Sequence, residues 1–399
     1  MKQKNLFLPL AIVGLFFFAI GFALGINSYL VPLLKSTLNI SGGVSYLLLA
    51  ATFSAFVIFG YPSAWLISRI GYKRTMAVSF MMFALGFMLF IPSAMYQSLW
   101  MFLLASFISG MGNTFLQASV NPYITICGPI ESAARRMSFM GICNKLAWPV
   151  APLFLALVIG KAAESVTLQD IYLPFSIIIV VFLLLGVIAM IAPMPEVTAA
   201  GEEKGSEENC PYAAGKSSIW QFPHLILGCI ALFLYVGVET VALSTLVDYA
   251  NELKLPNPEN YAWISAAGMV IGYICGILFI PKYLSQSMAM KICASIALVG
   301  SVAVVLSPAD LSIWFTALMA LGCSLMWPAL WPLAMADLGR FTKQGSSLLT
   351  VAIVGGAFAP TLYGFMKDLW GAQNAYWICV PCFVMILLYG MWGYKVRTK

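Results

Sequence analysis

The feature of this sequence that most limits its fold is a succession of long apolar stretches, separated by short segments that carry nearly all of the charge. Hydrophobic residues make up 61% of the 399 positions and charged residues only 9%. A helix needs about twenty apolar residues to cross a bilayer core, so this content suffices for roughly twelve membrane-spanning helices. A soluble domain carries roughly a quarter charged residues. The chain is therefore predicted to be an all-α membrane protein, which excludes a soluble enzyme and a secreted disulfide scaffold.

The apolar stretches fall into two groups of six. The predicted spans are 5–34, 43–69, 75–95, 98–128, 133–160 and 171–192, then 220–253, 258–283, 287–307, 311–338, 343–368 and 373–394. Four glutamates stand among Gly and Ser between the groups, a composition typical of flexible linkers. The chain is thus predicted to contain an N-terminal six-helix bundle at 1–192, a linker at 193–219 and a C-terminal six-helix bundle at 220–399.

The basic residues predict the orientation in the membrane. Sixteen of the 21 Lys and Arg residues fall in the termini and loops of one side, and four fall on the other side. Because positively charged loops stay in the cytoplasm, both termini and the linker are predicted to be cytoplasmic. The net charge of +6 is spread singly between apolar stretches, so no nucleic-acid partner is expected.

The two halves carry a similar pattern at the same spacing. Gly112 precedes Asn121 and Pro122 in span 4, and Gly322 precedes Trp331 and Pro332 in span 10. Six-span repeats joined by a cytoplasmic linker resemble the architecture of major facilitator transporters, which bind substrate between the halves at mid-membrane depth. This resemblance implies the major facilitator fold.

Ionisable side chains at membrane depth are functional candidates, because hydrocarbon does not solvate a charge. By the predicted spans only Lys145, in span 5, and Glu239, in span 7, lie at this depth. They are therefore predicted both to bind substrate and to couple transport to an ion.

Amide side chains form the clearest pattern in the membrane. Asn113, Gln117 and Asn121 recur every four residues and so share one helix face. Amides both donate and accept hydrogen bonds, which suits the hydroxyl groups of a sugar. The alternative is that they join neighbouring helices for stability alone. We interpret the stripe as the lining of a substrate cavity.

Other polar and aromatic residues extend this candidate site. Asn144 lies beside Lys145, and span 1 contributes Asn27 and Ser28. Trp327 and Trp331 lie one turn apart in span 10, and aromatic rings suit the apolar face of a sugar. Belt tryptophans at membrane interfaces are the alternative, but these favour the ends of spans.

Motifs for other chemistry are missing from the sequence. It has no phosphate-binding loop, nucleophile elbow or cluster of metal ligands, and its nine cysteines are scattered. We therefore expect no enzymatic activity, no cofactor and no metal.

Several motifs resemble the fucose/proton symporter family, which includes glucose/galactose transporters. They are LQASVNPYI at 116–124, YVGVET at 235–240, GSS at 345–347 and IVGG at 353–356. The resemblance implies sugar transport across a bacterial plasma (inner) membrane by a protein expected to be a monomer. Glucose/galactose-type members have Gln at the position of Gln117, where the fucose branch has an acid. Asn144 matches an amide of the family's substrate cavity.

Two departures from the family bear on coupling. Residues 27–32 read NSYLVP, so Ser28 replaces the acid of the family's span 1 pattern, and Lys145 stands where a small residue is usual. Glu239 and Lys145 remain as the ionisable pair for a co-transported proton or sodium ion. Alternatively, Lys145 replaces the imported ion in a facilitator, binds an anionic sugar acid, or only contacts backbone carbonyls.

The sequence thus predicts a transporter of a monosaccharide, either a hexose or a 6-deoxyhexose, that works by alternating access in the lipid bilayer. A sugar-acid transporter and an exporter of drugs or metabolites are the alternatives. A large signalling domain, which would indicate a receptor, is not found in this sequence.

Overall fold

Twelve helical segments of this chain are long and apolar enough to cross a membrane. The computed structural model describes residues 7–126, 133–161, 165–194, 211–280 and 282–398. All twelve segments lie within these ranges, and their order follows the sequence prediction. The predicted all-α class with twelve membrane-spanning helices is confirmed. Residues 195–210, most of the predicted linker, lie outside the described ranges.

Six helical ranges form the first six spans, and one of these ranges contains two spans. They are α1 (Phe7–Thr37), α2 (Gly42–Ser45), α3 (Leu47–Met95), α4 (Leu99–Ile126), α5 (Ala133–Ile159) and α6 (Tyr172–Ile191). The range of α3 contains two helices, one for span 2 and one for span 3, because Gly71 at φ 81° and ψ 169° is not helical and separates them. The Lys73 ammonium then donates a hydrogen bond of 2.5 Å to the Ala192 carbonyl beyond the end of α6.

The last six spans are more often interrupted. Their helices are α7 (Pro211–Ala214), α8 (Pro223–Ser244), α9 (Leu246–Glu252), α10 (Ala262–Phe279), α11 (Gln286–Leu306), α12 (Ala309–Cys323), α13 (Met326–Met335), α14 (Thr342–Ala352), α15 (Gly355–Trp370), α16 (Ala372–Ala375) and α17 (Cys379–Met391). Predicted spans 7, 10 and 11 are each divided into two helices, at Thr245, at Ser324 and Leu325, and at Ile353 and Val354. Broken helices at membrane depth are tolerated where they line a cavity, because irregular backbone needs polar partners.

Alternating spans bring both ends of the described chain to one end of the bundle, which we call the terminal end. Here Nε2 of His224 donates a 2.8 Å hydrogen bond to the Ala336 carbonyl, and Arg397 pairs with Asp337. The opposite end is called the distal end. We refer to described residues 7–194 as the N-terminal half and to residues 211–398 as the C-terminal half.

The halves contact each other along pairs of helices, with α5 on α10 and with α2, α3 and α15 together. Gly141 in α5 allows one of these contacts. A Cβ atom built on Gly141 would lie 2.6 Å from Cζ of Tyr273 in α10, which is closer than two carbon atoms can approach. The ring of Tyr273 therefore packs directly on the backbone of the opposite half.

Two charged residues besides Lys145 and Glu239 are buried within the bundle. They are Asp248 and Lys367, at 2% and 6% exposure. Both lie at the distal end. Asp248 is near the end of predicted span 7, and Lys367 is near the end of predicted span 11. Because they pair with one another, the bundle can bury them without an isolated charge.

Candidate functional site

A cavity lies between the two halves and is lined by residues of both. The N-terminal half contributes α1, α3, α4 and α5, and the C-terminal half contributes α8, α10, α13 and the break between α14 and α15. The lining residues are Phe17, Ile20, Leu24, Phe53, Gln117, Asn121, Met137, Gly141, Asn144, Lys145, Trp148, Val236, Glu239, Thr240, Tyr273, Trp327, Pro328 and Ile353. Its volume is about 90 Å³. Pockets for small organic ligands span roughly 300–1,000 Å³, so the cavity is contracted in this conformation.

An ion pair across the halves crosses this cavity. Nζ of Lys145 lies 3.1 Å from Oε1 of Glu239, and the two side chains are 9% and 10% exposed. The same carboxylate oxygen accepts a 2.5 Å hydrogen bond from the Tyr235 hydroxyl, one turn earlier on α8. Lys145 lies near the middle of α5. The pair therefore joins the two halves at the cavity between them.

The amides around the cavity are partly used within the protein. Nε2 of Gln117 donates to Oδ1 of Asn113 at 3.0 Å, which orients the stripe on α4. Nδ2 of Asn144 donates to the Phe17 carbonyl on α1, also at 3.0 Å. These bonds hold Gln117 and Asn144 in place and leave Oε1 of Gln117 and Oδ1 of Asn144 available to accept hydrogen bonds from a ligand.

Aromatic rings cover the remaining wall. The rings of Trp327 and Trp331 stack with centroids 5.3 Å apart, and Tyr235 lies 6.4 Å from Trp327. Trp148 lines the cavity from α5, with the Lys145 ammonium 5.9 Å from the centre of its ring. A surface of this kind can pack against the apolar face of a sugar ring while the amides bind its hydroxyls.

Some of the ten predicted substrate-binding residues line the cavity, and the others do not. Six of them line the cavity: Gln117, Asn121, Asn144, Lys145, Glu239 and Trp327. Four do not: Asn27 and Ser28 are buried in α1, Asn113 lies behind Gln117, and Trp331 stacks behind Trp327. The two predicted coupling residues, Glu239 and Lys145, contact each other. The role of each remains a prediction.

A second set of polar contacts joins the halves at the distal end. The Asp368 carboxylate, at the end of α15, accepts hydrogen bonds from the backbone N–H groups of Gly42 and Gly43, at 2.9 and 2.8 Å. The Tyr46 hydroxyl donates to Asp248 at 3.0 Å. One carboxylate therefore fixes the start of α2, and another binds the start of α3.

Two lysines complete this distal network. The Lys367 ammonium lies 2.6 Å from Asp248 and 3.0 Å from Glu252, all within the C-terminal half. Lys35 at the end of α1 reaches across to Glu252 at 2.6 Å. Burial favours a higher pKa for Glu252, but hydrogen bonds and positive charge from Lys35 and Lys367 outweigh it and lower the pKa to about 2. The network therefore holds the distal end closed.

Sequence reasoning did not single out Trp148, Tyr273 or the distal network. No local pattern distinguishes Tyr273 from other buried tyrosines. The mid-span position of Trp148, one turn after Asn144, is a signal that the sequence did offer.

Similarity to known proteins identifies the family of this chain. Residues 12–353 match the Major Facilitator Superfamily. The chain belongs to this superfamily. The predicted resemblance to its fucose/proton symporter family is confirmed by relatives that align over nearly the whole chain.

The similar proteins of this superfamily include named sugar transporters. The glucose/galactose transporter of Brucella abortus is 32% identical over 99% of this chain and 96% of its own length. A putative glucose/galactose transporter of Helicobacter pylori is 27% identical over 99% of both chains. The L-fucose-proton symporter of Escherichia coli is 23% identical over 100% of this chain and 96% of its own.

Solved structures of superfamily members share the fold. The transporter FucP in its outward conformation superposes with a TM-score of 0.74 at 21% identity, covering 98% of this chain and 99% of that one. A bacterial homologue of the lysosomal transporter Spinster, inward-facing and unoccupied, gives 0.70 at 14% identity, covering 100% and 98%. These likenesses establish the twelve-helix fold, and the relatives are transporters rather than enzymes.

Proposed function

We propose that this protein transports a monosaccharide, a hexose or a 6-deoxyhexose, across the membrane. The observation that carries the proposal is the cavity between the halves, where the amides of Gln117, Asn121 and Asn144 face the ion pair of Lys145 and Glu239. Hydroxyl groups need donors and acceptors together, and amides supply both. The named functions of the relatives, glucose/galactose transport and L-fucose–proton symport, agree with this chemistry.

Transport is proposed to follow alternating access, in which the two halves rock around the central site. Opening the distal end requires that the Asp368 bonds to α2 and the Lys35–Glu252 pair break. The distribution of Lys and Arg supports a cytoplasmic location for both termini, in a bacterial plasma membrane. On that orientation the distal end is extracellular, and this conformation is closed to the outside.

Coupling is proposed to depend on Glu239 and Lys145. If a proton reaches Glu239, the carboxylate loses the charge that attracts the Lys145 ammonium, and the halves lose a mid-depth contact. Tyr235 would remain bonded to the acid, and Trp148 and Tyr273 line the same cavity. The alternative is a facilitator in which Lys145 takes the place of an imported cation.

Counterflow of radiolabelled sugar in proteoliposomes tests the substrate class. The protein should exchange hexose without an energy source, and Gln117→Ala or Asn121→Ala should reduce exchange at least tenfold. Asn374→Ala is the control, because Asn374 is an exposed amide that bonds to the Trp370 carbonyl and does not line the cavity. Normal exchange in both cavity variants would contradict the proposal.

Coupling is tested separately with an imposed pH gradient. If Glu239 carries the proton, Glu239→Gln keeps counterflow but no longer accumulates sugar when the outside is acidic. If the parent protein shows no accumulation with a proton or sodium gradient, the facilitator is correct.

Two alternative substrates receive less support. An anionic sugar acid would need a free cation, but the Lys145 ammonium is already paired with Glu239. An exporter of apolar compounds would favour a roomy apolar cavity, whereas this one is small and lined by three amides. Competition of counterflow by a hexose, a hexuronic acid and a hydrophobic dye distinguishes the three classes. The protein is expected to work as a monomer.

A further inference from the structure

Trp148 stands at the cavity one helical turn after Asn144 on α5, so the two side chains share a face of the helix. The residue lines the cavity and is 3% exposed. Its backbone is held closely by α1, since a Cβ atom built on Gly25 would lie 2.4 Å from the Trp148 carbonyl oxygen. The indole is therefore carried by a fixed backbone at the wall of the site.

The indole N–H of Trp148 has no hydrogen-bond acceptor in the part of the chain that the structure describes. A buried donor without a partner destabilises the protein, because it has given up its hydrogen bond to water and gained none. Ser28 and Asn113 also carry unpaired polar atoms, but neither lines the cavity. Trp148 alone of these three combines an unpaired donor with a place at the site.

The chemistry of Asn144 complements this donor. Nδ2 of Asn144 is bonded to the Phe17 carbonyl, so its Oδ1 is left as an acceptor. An acceptor and a donor thus stand one turn apart on the same wall. Each hydroxyl of a sugar can both accept and donate, so adjacent hydroxyls can satisfy the two groups together.

We propose that Trp148 is a substrate-binding residue whose indole N–H donates a hydrogen bond to one sugar hydroxyl and helps to select the sugar. The inference rests on the proposed function and adds a residue that recognises one particular hydroxyl of the sugar. It predicts that the wild-type protein discriminates strongly against the one deoxy sugar that lacks this acceptor. A site that hydrogen-bonds a hydroxyl rejects the analogue without it, because its own buried group is left unpaired.

The test combines a substitution with a series of deoxy and fluoro sugars. Trp148→Phe keeps an aromatic ring beside Lys145 but removes the N–H. Binding is measured by isothermal titration calorimetry in detergent on the full chain, with Trp314→Phe as the control because Trp314 is 58% exposed on the outside of the bundle. The dissociation constant for the parent sugar should rise about tenfold in Trp148→Phe and stay unchanged in the control.

The deoxy series locates the hydrogen bond. In the wild type, removal of one hydroxyl should weaken binding about tenfold, and in Trp148→Phe removal of the same hydroxyl should have almost no further effect. The fluoro sugar at that position should bind with intermediate affinity to the wild type, because fluorine accepts a hydrogen bond weakly and donates none.

Replacement of Trp148 by benzothienylalanine, which has sulfur in place of the N–H, repeats the test with the ring shape unchanged. It decides the question if Trp148→Phe folds poorly. Equal ratios of parent to deoxy affinity in the wild type and in both variants would overturn the inference. A wild-type protein that binds no monosaccharide would instead overturn the proposed function.

Discussion

Lys145 of the N-terminal half and Glu239 of the C-terminal half form a buried ion pair, with Nζ 3.1 Å from Oε1. Removing one member of such a pair leaves an uncompensated charge and costs about 3–5 kcal/mol, whereas neutral residues in both places cost far less. The pair therefore constrains which substitutions the site can tolerate.

Lys145→Met and Glu239→Gln should each lower the melting temperature of the purified protein clearly, and the double variant should regain most of the loss. A thermal-unfolding double-mutant cycle measures this coupling. Tyr235→Phe is the control for the hydrogen bond alone and should cost about 1.5–3 kcal/mol, because the acceptor is charged. Additive losses in the double variant would mean that the two charges do not interact in solution.

Asp368→Asn should open the distal end more often. Each carboxylate oxygen accepts a bond from one backbone N–H group of α2, and Asn keeps only one acceptor oxygen and no charge, so we expect a shift of at least about fivefold, or about 1 kcal/mol. The readout is the labelling rate of Ser244→Cys, between the cavity and Asp248, by a maleimide that does not cross the membrane, in a background without native cysteines.

Asp170→Asn is the matched control for this shift. Asp170 also lies at the distal end and pairs with Lys161 at 2.6 Å, but both residues belong to the N-terminal half. Its substitution should leave the labelling rate unchanged. Faster labelling in the control, or no change with Asp368→Asn, would show that the Asp368 contacts do not control how often the distal end opens.

The number of spans and the residues of the amide stripe follow from local sequence patterns, which is why both could be predicted. The extent of the cavity could not. Asn113 and Asn121 share a helix face but are separated by eight residues, or about 12 Å along the axis, and only Asn121 lines this contracted cavity. Which residues of a helix face line the cavity depends on where the opposing half of the protein lies.

Contacts between distant parts of the chain were also beyond local patterns. Asp248 and Lys367 are 119 positions apart, and each lies near the end of a span where a charge is normally solvated. Their burial arises only when α9 and α15 meet. The break after Ser244 has no proline to signal it, whereas Pro328 marks the region where α12 gives way to α13.

The distal closure should not depend on pH in the physiological range. The pKa of Glu252 is lowered from 4.5 to about 2, so its contribution to closure is fully present above about pH 5 and is lost only as the pH falls towards 2. The labelling rate of Ser244→Cys should therefore be constant from pH 6 to pH 8 after correction for thiolate reactivity. A rate that changes severalfold over this range would assign the closure to other groups.

Gly141→Ala should disfavour the conformation described here. The added methyl would lie 2.6 Å from Cζ of Tyr273, and a buried ring packed between α5 and α10 has little room to move, so overpacking of about 1–3 kcal/mol is expected. The measured result should be a lower melting temperature and severalfold slower counterflow. Gly14→Ala is the control, because its methyl would meet the nearest atom, Sγ of Cys143, at an ordinary 3.5 Å. Adding Tyr273→Leu to Gly141→Ala should restore part of the melting temperature, since it removes the ring that the methyl contacts. If the second substitution only adds to the loss, the close approach of the halves at Gly141 is not the cause.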